Sequence, residues 1–259
     1  MIKISHEIPK QLFQYHDLIS DYPYVLGHLL NEDKEYTEFY REKLKLAEYS
    51  ILDNSAFELG ESIPMDQLYK LGEEFKPSHL VLPDRVNDYK QTMENAIKYL
   101  DNYKSDNLKY IGVCQGETFD HIADCIDFYI EKGIDIIALP FDLVPDSDYL
   151  TVRYRFLNWW YSTTSRTKRA GIYKFHLLGC QNPVEFQLYN NSPVKKYIYS
   201  LDTSSPIVNG WSGNELGAHG LTKPKPKDKL ADNLDISLSS EQLDLIFKNV
   251  KTFRTYVTE

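Results

Sequence analysis

Six short apolar runs end in residues able to do chemistry. Ile51-Leu52 runs into Asp53-Asn54-Ser55, Leu80-Val81-Leu82-Pro83 into Asp84, and Ile111-Gly112-Val113-Cys114 into Gln115-Gly116. Ile136 to Leu139 leads to Pro140-Phe141, His176-Leu177-Leu178 to Gly179, and Tyr197 to Leu201 to Asp202-Thr203-Ser204-Ser205. One aspartate after a strand is an ordinary helix cap or turn former. Three aspartates converging on one mouth would raise one another's proton affinity and weaken the fold, so a shared mouth points to function. Two carboxylates flanking an anomeric carbon suit glycosyl transfer, one as nucleophile and one as acid/base, and a third with an amide can bond the donor and acceptor edge of a purine.

These residues need a scaffold that brings strand ends together. The apolar runs Tyr24 to Leu29, Tyr49 to Leu52, His79 to Leu82, Lys109 to Cys114, Ile134 to Leu139, Phe175 to Leu178 and Lys196 to Leu201 read as strands. Helical patterns lie between them, clearest over Glu117 to Lys132, where Phe119, Ile122, Ala123, Ile126 and Ile130 share one face and Gly133 stops the helix. Pro64 to Phe75, Asp88 to Tyr103 and Ser239 to Tyr256 are further helices. Strands alternating with helices predict a parallel sheet, and the absence of a G-x-G-x-x-G or P-loop segment favours a closed α/β (β/α)8 TIM-type barrel over an open doubly wound sheet. We expect residues 1–259 to form a single domain, with the eighth strand at the N-terminus or in the Trp211 to Leu221 region.

The chain has 259 residues, 42% of them apolar, enough to bury roughly 70–75% of the unfolded surface without disulfide or metal. Its three cysteines, Cys114, Cys125 and Cys180, form no close pair and read as reduced, buried apolar fillers in a cytoplasmic protein. No apolar run approaches the ~20 residues of a membrane span. His79, His121 and His176 read as packed or surface residues, since no pair has metal-ligand spacing. No metal or cofactor is expected. The formal charge of −9 is unevenly spread: the stretches 151–174 and 223–229 hold 10 of the 29 basic residues and one of the 38 acids. Arg153, Arg155, Arg166, Lys168 and Arg169, with Lys223, Lys225 and Lys227, are therefore candidate phosphate contacts, interleaved with Trp159, Trp160 and Tyr161. On its helical pattern the tryptophan pair reads as core rather than as a stacking surface.

At the strand-end residues the chain resembles the tRNA-guanine transglycosylase superfamily, and within it the short phage enzymes that insert 7-deazaguanines into DNA. Asp53-Asn-Ser-Ala-Phe-Glu-Leu-Gly is similar to the family's Asp-Ser-Gly-Gly-Phe-Gln segment, Leu-Pro-Asp84-Arg to its base-recognising Asp, and Gly112-Val-Cys-Gln-Gly to its Gly-Ile-x-Gln-Gly. Leu139-Pro140 falls where the family offers backbone groups to the base, His176-Leu-Leu-Gly179 is similar to Tyr-Leu-Met-Gly, and Leu201-Asp-Thr-Ser-Ser-Pro aligns with the segment of the nucleophilic Asp. The family's Cys-x-Cys-x-x-Cys…His zinc segment has no counterpart. The resemblance implies base exchange, guanine for a preQ0-like base, in DNA or in tRNA. It implies Asp202 as nucleophile and Asp53 as acid/base. Asp84, Gln115, Gly116, Leu139 and Gly179 would hold the base; among the abundant aromatics Phe57 and Phe141 are candidates for stacking on it, with Phe141 reading rather as core packing. Expected partners are DNA or tRNA and a free 7-deazaguanine base, with no membrane and a homodimer allowed; for a phage-encoded chain the compartment is the host cytoplasm. A non-catalytic subunit binding nucleic acid beside an active homologue is the alternative of another class.

Overall fold

The structure is a computed structural model that describes residues 1–105, 107–164, 174–217, 219–221, 226 and 229–258. Eight parallel strands form one sheet: β1 Lys3–His6, β2 Tyr24–Leu26, β3 Ile51–Asp53, β4 His79–Val81, β5 Lys109–Val113, β6 Ile136–Pro140, β7 Lys174–Leu178 and β8 Ile198–Thr203. Each pairs with its sequence neighbour from β2 to β8, and β1 pairs with β8, aligning Ser5 with Asp202. At the seam between β1 and β2 the Ser5 hydroxyl donates to the Tyr22 carbonyl (2.7 Å) and the Asp21 N–H donates to the Ile4 carbonyl (2.7 Å). The ring is a nearly closed (β/α)8 barrel, and the eighth strand lies at the N-terminus. The Trp211 to Leu221 region instead contains a small antiparallel pair, Leu216–Gly217 with Gly220–Leu221.

Helices α1 Lys34–Leu46, α2 Met65–Phe75, α3 Tyr89–Asn102, α4 Phe119–Glu131, α5 Val152–Thr163, α6 Ser205–Trp211 and α7 Ser240–Thr258 cover the outside. Local chemistry starts several of them. Asp33, Asp88 and Thr118 each accept an N–H of the first turn, from Tyr36, Gln91 and His121. Of the predicted α4 face Ile122 and Ile126 are buried and Phe119, Ala123 and Ile130 partly so, while Cys125 and Tyr129 complete the buried side. It presses so closely on β5 that a Cβ at Gly112 would sit 2.4 Å from the Tyr129 ring, which is why glycine stands there. All three cysteines are free and buried. Among the described residues no helix is long and apolar enough to cross a membrane, and no group of His, Cys, Asp and Glu has the arrangement of a metal site.

Candidate active site

At the C-terminal ends of the strands a cavity of about 360 Å³ opens, and Asp53, Asp84, Gln115, Gly179 and Asp202 all line it. All five positions follow or end different strands, so the barrel does bring together what the sequence scatters over 150 residues. Glu7, Glu58 and Asp142 add further carboxyls to the wall, and Lys229 enters it from the segment before α7.

Asp84 and Gln115 are joined. The Gln115 Nε2 donates to Asp84 Oδ2 (2.7 Å), Asn54 Nδ2 donates to Asp84 Oδ1 (2.8 Å), and Gln115 Oε1 accepts the Asn87 N–H (3.1 Å). Burial raises the Asp84 carboxyl above the usual range, and the two amide bonds offset part of that rise. The unit is a preformed acceptor edge: each carboxylate oxygen has a second lone pair to offer a ligand N–H.

Asp202 is gripped from behind. His176 Nε2 lies 3.0 Å from its Oδ1, and the Gly179 N–H donates to the same oxygen (3.0 Å). His176 Nδ1 lies 2.9 Å from Ser200 Oγ, which is 2.9 Å from the Tyr49 hydroxyl. If the hydroxyls donate in the order Tyr49, Ser200, His176, the imidazole is left with its proton on Nε2, facing the carboxylate. The Tyr24 ring stacks on His176, with centroids 5.9 Å apart at 15°. The sequence marks His176 as a packed or surface residue. It is fully buried, but its role is to hold Asp202, and only the β7–β8 register that sets it beside Ser200 reveals this.

Asp53 ends β3, and its Oδ2 accepts the Ser55 N–H (2.8 Å). Ser55 has a left-handed backbone (φ 64°), a conformation costing on the order of 1 kcal/mol outside glycine. The bend turns Glu58 of the one-turn helix Ala56–Leu59 into the cavity. Burial first, and then the Glu58 charge, push the Asp53 carboxyl well above its ordinary value. Burial likewise lifts Glu58 to about 7, with Asp202 adding to the rise and Lys229 opposing it. Glu58 Oε2 is buried with no hydrogen-bond partner. The sequence reading gave this glutamate no role, and composition carries no signal for it, because only the Asn54-Ser55 bend aims it.

Several expected contacts change. Arg153 is not a surface phosphate contact: its side chain is wholly buried, with Nε on Glu185 Oε1 (3.0 Å) and Nη2 on Oε2 (2.5 Å). Its Nη1 donates to the carbonyls of Leu139 (3.2 Å), Leu178 (3.2 Å) and Gly179 (3.0 Å), clamping the ends of β6 and β7. That clamp also corrects the assignment of Leu139, whose carbonyl is taken by Arg153 and which lies behind Pro140 and Phe141, the residues of β6 and its loop that reach the cavity. Gly116 is buried against His121, where a Cβ would sit 2.6 Å from the His121 Cβ, and it does not line the cavity. Gly179 lines it, but its N–H and carbonyl serve Asp202 and Arg153.

Phe57 is half exposed at the rim, edge-on to Phe141 at 5.7 Å, with Lys229 Nζ 5.6 Å from its ring. Trp160 is core, and Trp159 packs partly buried against Phe119 and Phe156. Arg155 is exposed on α5. Arg166, Lys168, Arg169, Lys223, Lys225 and Lys227 lie outside the described residues.

No family model and no curated protein matches the chain. Among solved structures it is similar to a phosphoenolpyruvate phosphomutase from Streptomyces platensis subsp. rosaceus, at TM-score 0.48 and 6% identity over 78% of this chain and 75% of that one. It is also similar to KGPDC from Streptococcus mutans, at TM-score 0.46 and 10% identity over 96% and 98% of the two chains. An N-acetylneuraminate lyase from Mycoplasma synoviae gives TM-score 0.44 and 11% identity over 99% and 81%. At such scores and identities these likenesses say nothing about what the cavity binds.

Proposed function

We propose that the chain is a base-exchanging glycosyltransferase that replaces guanine in DNA with a preQ0-like 7-deazaguanine. The observation that carries this reading is that Asp53, Asp84, Gln115 and Asp202, from four separate strands, line one cavity, with Asp84 and Gln115 already bonded into a single recognition edge. A purine edge with adjacent ring and exocyclic N–H groups finds its acceptors on Asp84. Adenine would leave them unpaired, at about 1–3 kcal/mol per group.

In the proposed reaction Asp202 attacks C1′ of the target nucleotide while the bond from C1′ to N9 breaks, and the electron pair leaves with the base. The departing guanine takes a proton from the Asp53 side of the cavity. An incoming 7-deazaguanine then gives up its N9 proton to the same side, attacks C1′, and releases Asp202. Two inversions return the starting configuration. His176 and Gly179 spread the Asp202 charge through Oδ1 and fix the carboxylate before substrate arrives, which is the alignment that makes attack effectively intramolecular. A base inside a duplex must be turned out to reach the site. The half-exposed Phe57 at the rim offers the extruded base a ring to stack on.

The test is incubation of the full chain with radiolabelled guanine or a 7-deazaguanine and either duplex DNA or tRNA, alongside Asp202→Ala. Label entering DNA with the parent alone supports the reading. Label entering tRNA instead changes the acceptor, and label entering neither polymer removes the reading.

A further inference from the structure

We infer that Glu58 is the residue that carries the proton in base exchange, delivering it to the departing base and recovering it from the incoming one, with Asp53 as its electrostatic partner. This rests on the transglycosylase reading and deepens it.

Asp53 is poorly placed to move a proton. Its Oδ2 accepts the Ser55 N–H, and this bond makes it part of the bend that ends β3. Glu58 differs in each respect. It lines the cavity, it stands on a single helical turn at the mouth, and its buried Oε2 has no hydrogen-bond partner. An orphaned buried carboxyl oxygen costs free energy unless a ligand completes it. The groups around it come from every neighbouring element. Asp53 of β3 and Asp202 of β8 are acidic, as is Asp232 from the segment before α7, while Lys229 of that segment donates its Nζ to the Glu58 carbonyl (2.9 Å). Glu7, after β1, shares the cavity wall. Burial, with the Asp202 charge adding to it and Lys229 opposing, brings the proton affinity of Glu58 to about 7, the value at which a carboxyl both gives and takes a proton near neutrality.

The proton balance closes. Glu58 begins protonated. As the bond from C1′ to N9 breaks, its proton passes to the leaving purine, which departs as neutral guanine, while Asp202 becomes an ester and loses its charge. The Glu58 carboxylate next takes the N9 proton of the incoming base as the new bond from N9 to C1′ forms and Asp202 leaves as carboxylate. Both residues return to their starting states.

The experiment measures single-turnover exchange of labelled guanine into duplex DNA between pH 5.5 and 8.5 with the full chain, for the parent, Glu58→Gln and Asp53→Asn. The parent should lose rate above about pH 7. Glu58→Gln should lose the pH limb and fall by about 10²–10⁴-fold, the usual contribution of a positioned acid. Asp53→Asn should keep the limb near the parent's pH, since burial of Glu58 and the Asp202 charge, opposed by Lys229, set its proton affinity. Glu58→Gln within threefold of the parent with the limb intact would overturn the inference and leave the transglycosylase reading standing. Loss of the limb in Asp53→Asn but not in Glu58→Gln would return the proton to Asp53. A parent that exchanges nothing overturns both.

Discussion

Replacing Arg153 with methionine removes the guanidinium that ties together the ends of β6 and β7. The neutral side chain leaves the Glu185 carboxylate buried without its partner, although the Tyr189 hydroxyl still donates to it (2.9 Å). Breaking a buried ion pair from one side costs about 3–5 kcal/mol. The carbonyls of Leu139, Leu178 and Gly179 also lose a donor, and an unpaired buried carbonyl adds roughly 1–3 kcal/mol where water cannot replace the bond. Relaxation and water penetration around the freed carboxylate limit the first contribution, so the expected loss is about 4 kcal/mol, a large share of the ~5–15 kcal/mol that holds a protein folded. Urea unfolding followed by fluorescence reads it: with a slope of about 1–3 kcal/mol per molar, the midpoint should fall by more than 1 M. Arg153→Lys, which keeps a positive charge beside Glu185 but loses the fork of donors, should lose about 1–3 kcal/mol and remain measurable if the methionine variant fails to fold. A loss below about 1 kcal/mol in Arg153→Met, together with a shallower salt dependence of DNA binding, would refute the clamp and restore Arg153 as a phosphate contact.

Three further outcomes follow from other parts of the barrel. Gly112→Ala should cost about 1–3 kcal/mol in chemical denaturation, because its methyl meets the Tyr129 ring at 2.4 Å and that ring is held by its hydroxyl on the Val113 carbonyl; unchanged stability would mean that α4 can move away from β5. Glu58 titrates higher in the folded chain than its ordinary 4.5, so folding takes up a proton and stability falls as pH rises from about 4.5 through 7. Glu58→Gln should therefore exceed the parent by on the order of 2 kcal/mol at pH 8 and match it at pH 4; equal urea midpoints at both pH values would contradict the buried carboxyl. Asp84→Asn places an amide against the donors of Asn54 and Gln115, and base affinity measured by calorimetry should fall at least tenfold with little change in fold, whereas unaltered affinity would remove Asp84 from recognition.

Seven strands and the barrel were legible because a parallel strand buried on both faces must be an apolar run, and because successive runs separated by amphipathic helices admit few topologies. The first strand was harder. Lys3–His6 is four residues with two polar side chains turned inside, Ser5 bonded to the Tyr22 carbonyl and His6 Nδ1 beside the Thr203 carbonyl, and nothing local marks it as a strand. The polar residues after each strand were legible for the same topological reason, since strand C-termini share one rim.

What the sequence by itself determined, then, is the alternation that builds the barrel and the four residues at its mouth, because hydrophobic period and strand ends are properties of neighbours along the chain. The tertiary structure alone decided which polar groups hold one another: Arg153 turned inward to Glu185, His176 set behind Asp202, Glu58 swung beside Asp53. Those partners lie far apart in sequence or across a left-handed bend. Their meeting depends on strand register and on the free energy of leaving a buried charge or hydrogen-bonding group without a partner, and neither is written in any short stretch of residues.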